Sequence, residues 1–223
     1  MVKQYGLNIS DINIDERFFE LCSCISAERQ ARVERYKKPK DKIRCLYAEL
    51  LLRQALRQQG FNPDDIEFEY GSSGKPTLKN APGVEFNLSH SGDWIVCAIS
   101  EKPVGIDVEH IKVRDFALLA RHCLTKAEQA ELAGLSPEAQ QDYFFKIWTI
   151  KESYVKKLGT GLGKDFQSFE VRAVDDVYRV LENGSNVSPE QFRVYRIDEY
   201  HQVAVCADEP IENTICLTYK DWI

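Results

Sequence analysis

Four short patterns in this chain occur twice in the same order, which constrains it to fold as two similar units. Tyr5-Gly6-Leu7-Asn8-Ile9-Ser10 returns as Val104-Gly105-Ile106-Asp107-Val108-Glu109. Ser26-Ala27-Glu28 returns as Thr125-Lys126-Ala127-Glu128, where Thr125 and Glu128 have the spacing of a capping box. A helical stretch follows each. The first is predicted to be capped by Asp41 and to run through Gln59, with Leu46, Leu50 and Arg53 on one side; the second is predicted over 139–158. Trp94-Ile95-Val96-Cys97-Ala98-Ile99 then returns as Gln202-Val203-Ala204-Val205-Cys206-Ala207, two β-rich apolar runs that close their halves. The separation grows from 99 residues between Gly6 and Gly105 to 109 between Cys97 and Cys206, as insertions produce. We expect a duplicated α+β unit, with halves at 1–103 and 104–223 joined near Glu101-Lys102-Pro103 and function at the seam.

Composition narrows the function classes. With 43 % hydrophobic and 29 % charged residues the chain has enough apolar surface for a core of either one or two domains. Its formal net charge of -6 argues against a broad nucleic-acid surface, which needs a basic excess to neutralise phosphates. A local basic cluster nevertheless runs through Arg29, Arg32, Arg35, Lys37, Lys38, Lys40, Lys42 and Arg44; alone, it reads as a solvated helix face. No apolar leader follows Met1 and no run of 18 apolar residues occurs, so a cytoplasmic protein with no membrane partner is expected. The seven cysteines include no Cys-x-x-Cys pair and several lie in apolar runs, which suits buried reduced thiols. A zinc site on Cys22-Ser23-Cys24 lacks further ligands at zinc spacing.

Three motifs carry the chemistry. In Gly105-Ile106-Asp107-Val108-Glu109 strand alternation puts Ile106 and Val108 on one face and Asp107 and Glu109 on the other. Paired carboxylates repel unless a cation relieves them, and magnesium commonly takes one or two carboxylates plus substrate phosphates. The plain alternative is a solvated strand face. In Trp148-Thr149-Ile150-Lys151-Glu152-Ser153-Tyr154-Val155-Lys156, Glu152 and Lys156 share a helix face, either as a surface ion pair worth about 0.2–0.5 kcal/mol or as a metal or proton group beside a phosphate-binding lysine. Phe86-Asn87-Leu88-Ser89-His90-Ser91-Gly92 reads as a strand entering a turn that can bind an anion. It lacks the Gly-x-Ser-x-Gly elbow of a serine nucleophile. Gly74-Lys75-Pro76 just upstream adds a lysine on a constrained turn, without the pattern of a P-loop.

Together, in order and spacing, Gly74-Lys75-Pro76 and these three motifs resemble the Sfp-type 4'-phosphopantetheinyl transferases. The resemblance extends to Tyr5-Gly6, Ser26-Ala27-Glu28-Arg29 and the strand 202–207, nearly the whole chain. It implies a monomeric α+β pseudo-dimer with coenzyme A in the cleft between its halves. It further implies an acidic magnesium site at Asp107, Glu109 and Glu152, with manganese as a substitute. Ser89, His90, Lys75 and Lys156 are similar to coenzyme A phosphate and nucleotide contacts, and Arg44 matches a basic position. Arg29 and Arg32 stand where well-known members carry lysines, so the charge is kept but a planar guanidinium replaces a point charge.

The activity implied is transfer of the phosphopantetheine arm of coenzyme A to a serine of an apo carrier protein, releasing 3',5'-ADP. Lys156 would add positive charge beside the pyrophosphate, and Glu152 would be a metal ligand, a general base, or both. A metal-dependent nucleotide phosphohydrolase and a non-catalytic carrier-binding module are the rival readings. Retention of the three acids and Lys156 weighs against the second. Nothing in the sequence selects among fatty-acid, polyketide, nonribosomal-peptide and lysine-biosynthesis carriers.

Overall fold

The computed structural model describes residues 1–70, 75–111, 116–174, 177–186, 191–219 and 222. Strand β1 (Val2–Asn8) is followed by helices α1 (Glu16–Cys22), α2 (Ala27–Arg35) and α3 (Pro39–Arg57). Short strands β2 (Phe68–Tyr70) and β3 (Pro76–Leu78) precede the hairpin of β4 (Glu85–Ser91) and β5 (Trp94–Ser100). The second half repeats this order. Strand β6 (Val104–His110) leads into α4 (Ala117–Cys123), α5 (Lys126–Ala133) and α6 (Pro137–Leu158). There follow a small sheet of β7 (Phe169–Val174), β8 (Val177–Glu182) and β9 (Ser185–Asn186), then β10 (Gln191–Asp198), β11 (His201–Ala207) and β12 (Ile211–Leu217).

The repeat is visible in the strand order. One sheet runs β12-β1-β5-β4 and the other β10-β11-β6, so β1-β5-β4 corresponds to β6-β11-β10. The strands expected to close the halves, β5 and β11, are each central and buried along their whole length. A strand buried on both faces need not alternate in polarity, and neither does. Strand β12, in the second half by sequence, pairs in parallel with β1 and completes the first sheet.

Alternation decides what each face packs on. Trp94, Val96 and Ala98 of β5 meet Val203, Val205 and Ala207 of β11 and Val104, Ile106 and Val108 of β6 in a core between the sheets. Ile95, Cys97 and Ile99 turn the other way, into a cluster with Leu46, Leu51, Leu52 and Leu56 of α3. Ala204 and Cys206 likewise meet Phe144, Ile147 and Ile150 of α6. The layers are therefore helix, sheet, sheet, helix, and each buried Leu or Ile contributes about 1.5–3 kcal/mol.

Two local expectations change. Helix α3 starts at Pro39, not at a capping Asp41. Proline's fixed φ suits the first helical position and its missing N–H has no partner there anyway, while Asp41 lies within the first turn and accepts from Arg44 Nη1 at 2.9 Å. The second long helix starts earlier than expected, at Pro137, with the Ser136 side chain accepting from Ala139 N. It ends at Gly159, whose φ of 68° forms a left-handed cap. The Thr125–Glu128 capping box forms with both bonds present. All seven cysteines are free, but Cys24 and Cys216 are exposed, so burial does not account for every thiol. No helix among the described residues is long and apolar enough to cross a membrane.

Candidate active site at the seam between the halves

Strands β4 and β6 meet through side chains. On β4, Asn87, Ser89 and Ser91 share one face by the two-residue period of a strand, and each engages β6. Asn87 Oδ1 accepts from Ile106 N at 3.0 Å, and Ser89 Oγ donates to Asp107 Oδ1 at 2.8 Å. Ser91 Oγ donates to Glu109 Oε2 at 2.9 Å and accepts from His110 N at 3.0 Å. The motif on β4 thus acts first as the fastener that fixes the two carboxylates of β6.

Helix α6 supplies the rest. A Cβ at Gly105 would lie 1.9 Å from Ser153 O and 2.5 Å from Lys157 N, so only glycine lets the helix backbone come this close to β6. That approach carries Lys156 Nζ to 2.6 Å from Asp107 Oδ1, with Ser89 Oγ at 2.9 Å and Ile106 O at 3.3 Å also accepting from it. The ion pair of Lys156 is therefore made within the second half to Asp107, which is 3 % exposed, while its bond to Ser89 crosses the seam. The i,i+4 geometry with Glu152 does not claim it.

Glu152 sits among like charges. Burial, then the charge of Asp107, push its carboxyl up to about 7 against the opposing pull of Lys156, with Glu109 adding a little. Glu109 is raised for the same two reasons, although Ser91 and Trp148 Nε1, which donates at 3.2 Å, favour its ionised form. The three acids share one electrostatic neighbourhood. Among the described residues no three Asp, Glu, His or Cys side chains converge into a ready-made metal cluster. The donor set still fits a hard cation, because Asp107 Oδ2 is a buried carboxylate oxygen with no hydrogen-bond partner and its charge bears on both glutamates.

The basic residues divide. His90 is exposed on the face of β4 opposite Ser89 and Ser91, and desolvation and the cations of Arg44, Lys156 and Arg29 lower its pKa. Those four groups therefore surround one region in which an anion is favoured. Lys75 donates to Lys156 O at 3.2 Å, at the carbonyl end of α6, and burial lowers its pKa. Gly74 of the same motif lies outside the described residues. Arg44 donates from Nη2 and Nε to Gly92 O at 2.6 and 3.2 Å, holding the turn after β4. Arg29 is 9 % exposed and lies 3.6 Å from the buried Glu49, which also receives Arg53. Arg32 stands apart, lining a shallow hollow of about 240 Å³ with Arg35 and Tyr36.

Ser91, read in sequence as part of an anion-binding turn, and Trp148, to which the sequence gives no role, both hold Glu109. The available signal was spacing: Trp148, Glu152 and Lys156 follow one another at i,i+4 on a single helix row. A hollow of about 160 Å³ opens beside Ser91 and Glu109, walled by Phe116, Leu119, Phe144 and Trp148.

Residues 103–206 match the family described as the 4'-phosphopantetheinyl transferase superfamily, and residues 13–102 match 4'-phosphopantetheinyl transferase, N-terminal. The chain is 36 % identical over 191 residues to a 4'-phosphopantetheinyl transferase of Bacillus subtilis, covering 85 % of each chain. It is 33 % identical over 211 residues to 4'-phosphopantetheinyl transferase Sfp of Bacillus subtilis strain 168, covering 94 % of this chain and 93 % of that one. A solved holo-(acyl-carrier-protein) synthase of Bacillus anthracis in complex with CoA (3',5'-ADP) aligns with 47 % of this chain and 92 % of its own. The TM-score is 0.40 and the identity 21 %.

Proposed function

The chain belongs to the 4'-phosphopantetheinyl transferase superfamily, and from that premise we propose that its seam site moves the phosphopantetheine arm of coenzyme A onto a serine of an apo carrier protein. The observation that carries the site assignment is the buried, unpartnered Asp107 Oδ2 beside two glutamates with raised pKa, facing a group of cations. Such a pairing of acids and bases suits a pyrophosphate bound with a divalent cation.

Asp107, Glu109 and Glu152 would hold magnesium, or manganese in its place. When bound, the cation neutralises charge on the pyrophosphate oxygens as the transition state develops. Lys156 adds fixed positive charge beside the acids, and Ser89 keeps its ammonium and Asp107 in register. Arg44, His90, Lys75 and Arg29 form the basic surround proposed for the nucleotide phosphates, with Arg32, which stands apart from them beside Arg35 and Tyr36, as a proposed outer contact.

The carrier serine Oγ attacks the β-phosphorus, a new P–O bond forms, and the bond to the α–β bridging oxygen breaks. 3',5'-ADP departs with that bonding pair. Glu152 would help to hold the cation and is placed to accept the serine proton. The protein is proposed to act as a cytoplasmic monomer. Incubation of the protein and magnesium with coenzyme A and a panel of apo carriers, read by intact mass, tests this reading. A mass gain of one phosphopantetheine per carrier supports it, and no gain on any carrier refutes it.

A further inference from the structure

The turn that joins β4 to β5 is gripped from the opposite half by a histidine outside the motifs. His201, 4 % exposed at the start of β11, has Nδ1 at 2.8 and 3.0 Å from the two Asp198 oxygens. Its Nε2 lies 3.4 Å from Asp93 N, and a Cβ placed on Gly92 would fall 2.2 Å from that same nitrogen. The ring stacks on His110 at 4.6 Å between centroids with a 16° tilt. Asp198 also accepts from Trp94 Nε1 at 2.6 Å, so the same carboxylate anchors both the histidine and the residue that follows the turn.

A backbone N–H can only donate, so Asp93 N requires Nε2 to be the acceptor. The proton then lies on Nδ1, where the Asp198 carboxylate receives it. We propose that His201, held as the neutral Nδ1–H tautomer by Asp198, is a positioning residue for the transfer. It props the Gly92–Asp93 turn, which sets Ser91 and through it Glu109. Arg44 pulls on Gly92 O from the first half while His201 supports the turn from the second. Because Ser91 Oγ accepts from His110 N, the stack of His201 on His110 steadies both ends of the Ser91–Glu109 bond.

This inference rests on the transfer reading above, so one arm of its test is independent of activity. In protein with ¹⁵N-labelled histidine, long-range nitrogen–proton correlations near pH 7 should show His201 neutral with the proton on Nδ1. A proton on Nε2 or a doubly protonated ring would overturn the proposal whether or not transfer is found. In the activity arm, His201→Leu should lower kcat about tenfold, at the weaker end of outer-shell effects, with coenzyme A affinity by calorimetry little changed. His201→Gln, which restores an acceptor for Asp93 N, should recover most of the rate.

The decisive comparison is a double-mutant cycle with Ser91→Ala. If His201 acts through the turn, the double variant loses no more than Ser91→Ala alone, whereas independent sites give multiplied losses. Multiplied losses, or an unchanged kcat in folded His201→Leu, contradict the role. Should the leucine variant fail to fold, the cycle is run with His201→Gln, whose smaller deficit must likewise vanish in the Ser91→Ala background. Absence of carrier modification by the unaltered protein would instead remove the transfer reading and leave the tautomer result to stand or fall by itself.

Discussion

Lys156 Nζ lies 2.6 Å from Asp107 Oδ1, an ion pair that ties α6 to β6 beside Ser89 of the first half. Asp107 is nearly inaccessible while Lys156 remains partly open to solvent. The pair thus couples a fixed carboxylate to an ammonium that reaches the surface of the cleft.

Lys156→Met keeps the helix and most of the side-chain volume but leaves Asp107 without its cation. We expect destabilisation of about 1–3 kcal/mol, the cost of stranding a buried polar group, together with loss of transfer. Chemical denaturation and a carrier assay on the same preparation check both. A variant as stable as the parent would mean that water serves Asp107 equally well.

Gly105→Ala tests the close approach of helix and strand. The added methyl would overlap Ser153 O and Lys157 N, so α6 must shift away from β6. We expect a loss of at least about 2 kcal/mol, in the range of overpacked cores, and an activity deficit larger than the unfolded fraction explains. Parent-like melting and turnover would show that the helix yields freely.

Much of this site is legible in the sequence, for reasons that are local. Alternation alone puts Asp107 and Glu109 on the face opposite Ile106 and Val108, and the structure sends the latter pair into the inter-sheet core. The four recurring patterns likewise anticipate two sheets with matching strand order. What was not legible depends on distant partners. Lys156 prefers Asp107, 49 residues away, to its helix neighbour, and Arg44 spends its guanidinium on Gly92 O, 48 residues away. Nor does any pattern foretell that β12 returns to β1, since parallel pairing leaves no turn signature between the strands.

Glu152 makes stability depend on pH in a defined direction. Its folded pKa of about 7 exceeds the ordinary carboxylate value, so between roughly pH 4.5 and 7 the folded state holds the proton more tightly than the unfolded chain. Its contribution is complete below that window and is lost as pH rises through 7. In metal-free buffer Glu152→Gln should therefore melt above the parent at pH 8, by about 2–4 °C per kcal/mol relieved, with no gap near pH 4. Magnesium should raise the parent's melting temperature and narrow the gap. Parallel pH profiles for the two proteins would place Glu152 in ordinary solvent.

One of the two donors that support Glu109 can be removed without touching the acid. Trp148→Phe deletes the indole N–H that reaches Glu109 Oε1 but keeps a ring for the stacks on Phe144 and Phe166. Loss of an outer-shell donor should raise the magnesium concentration for half-maximal rate about 10-fold or more, with the coenzyme A dissociation constant little altered. A magnesium titration identical to the parent's would dismiss this role.

Transfer at the seam yields two products that can be counted together. A saturating apo carrier, coenzyme A and magnesium are mixed with the parent protein and with Asp107→Ala, and carrier mass and free 3',5'-ADP are followed together. One 3',5'-ADP is expected for each phosphopantetheine gained, with both abolished in folded Asp107→Ala at ordinary magnesium. Release of 3',5'-ADP without carrier modification, or parent-like transfer by Asp107→Ala in metal-depleted buffer, would contradict it.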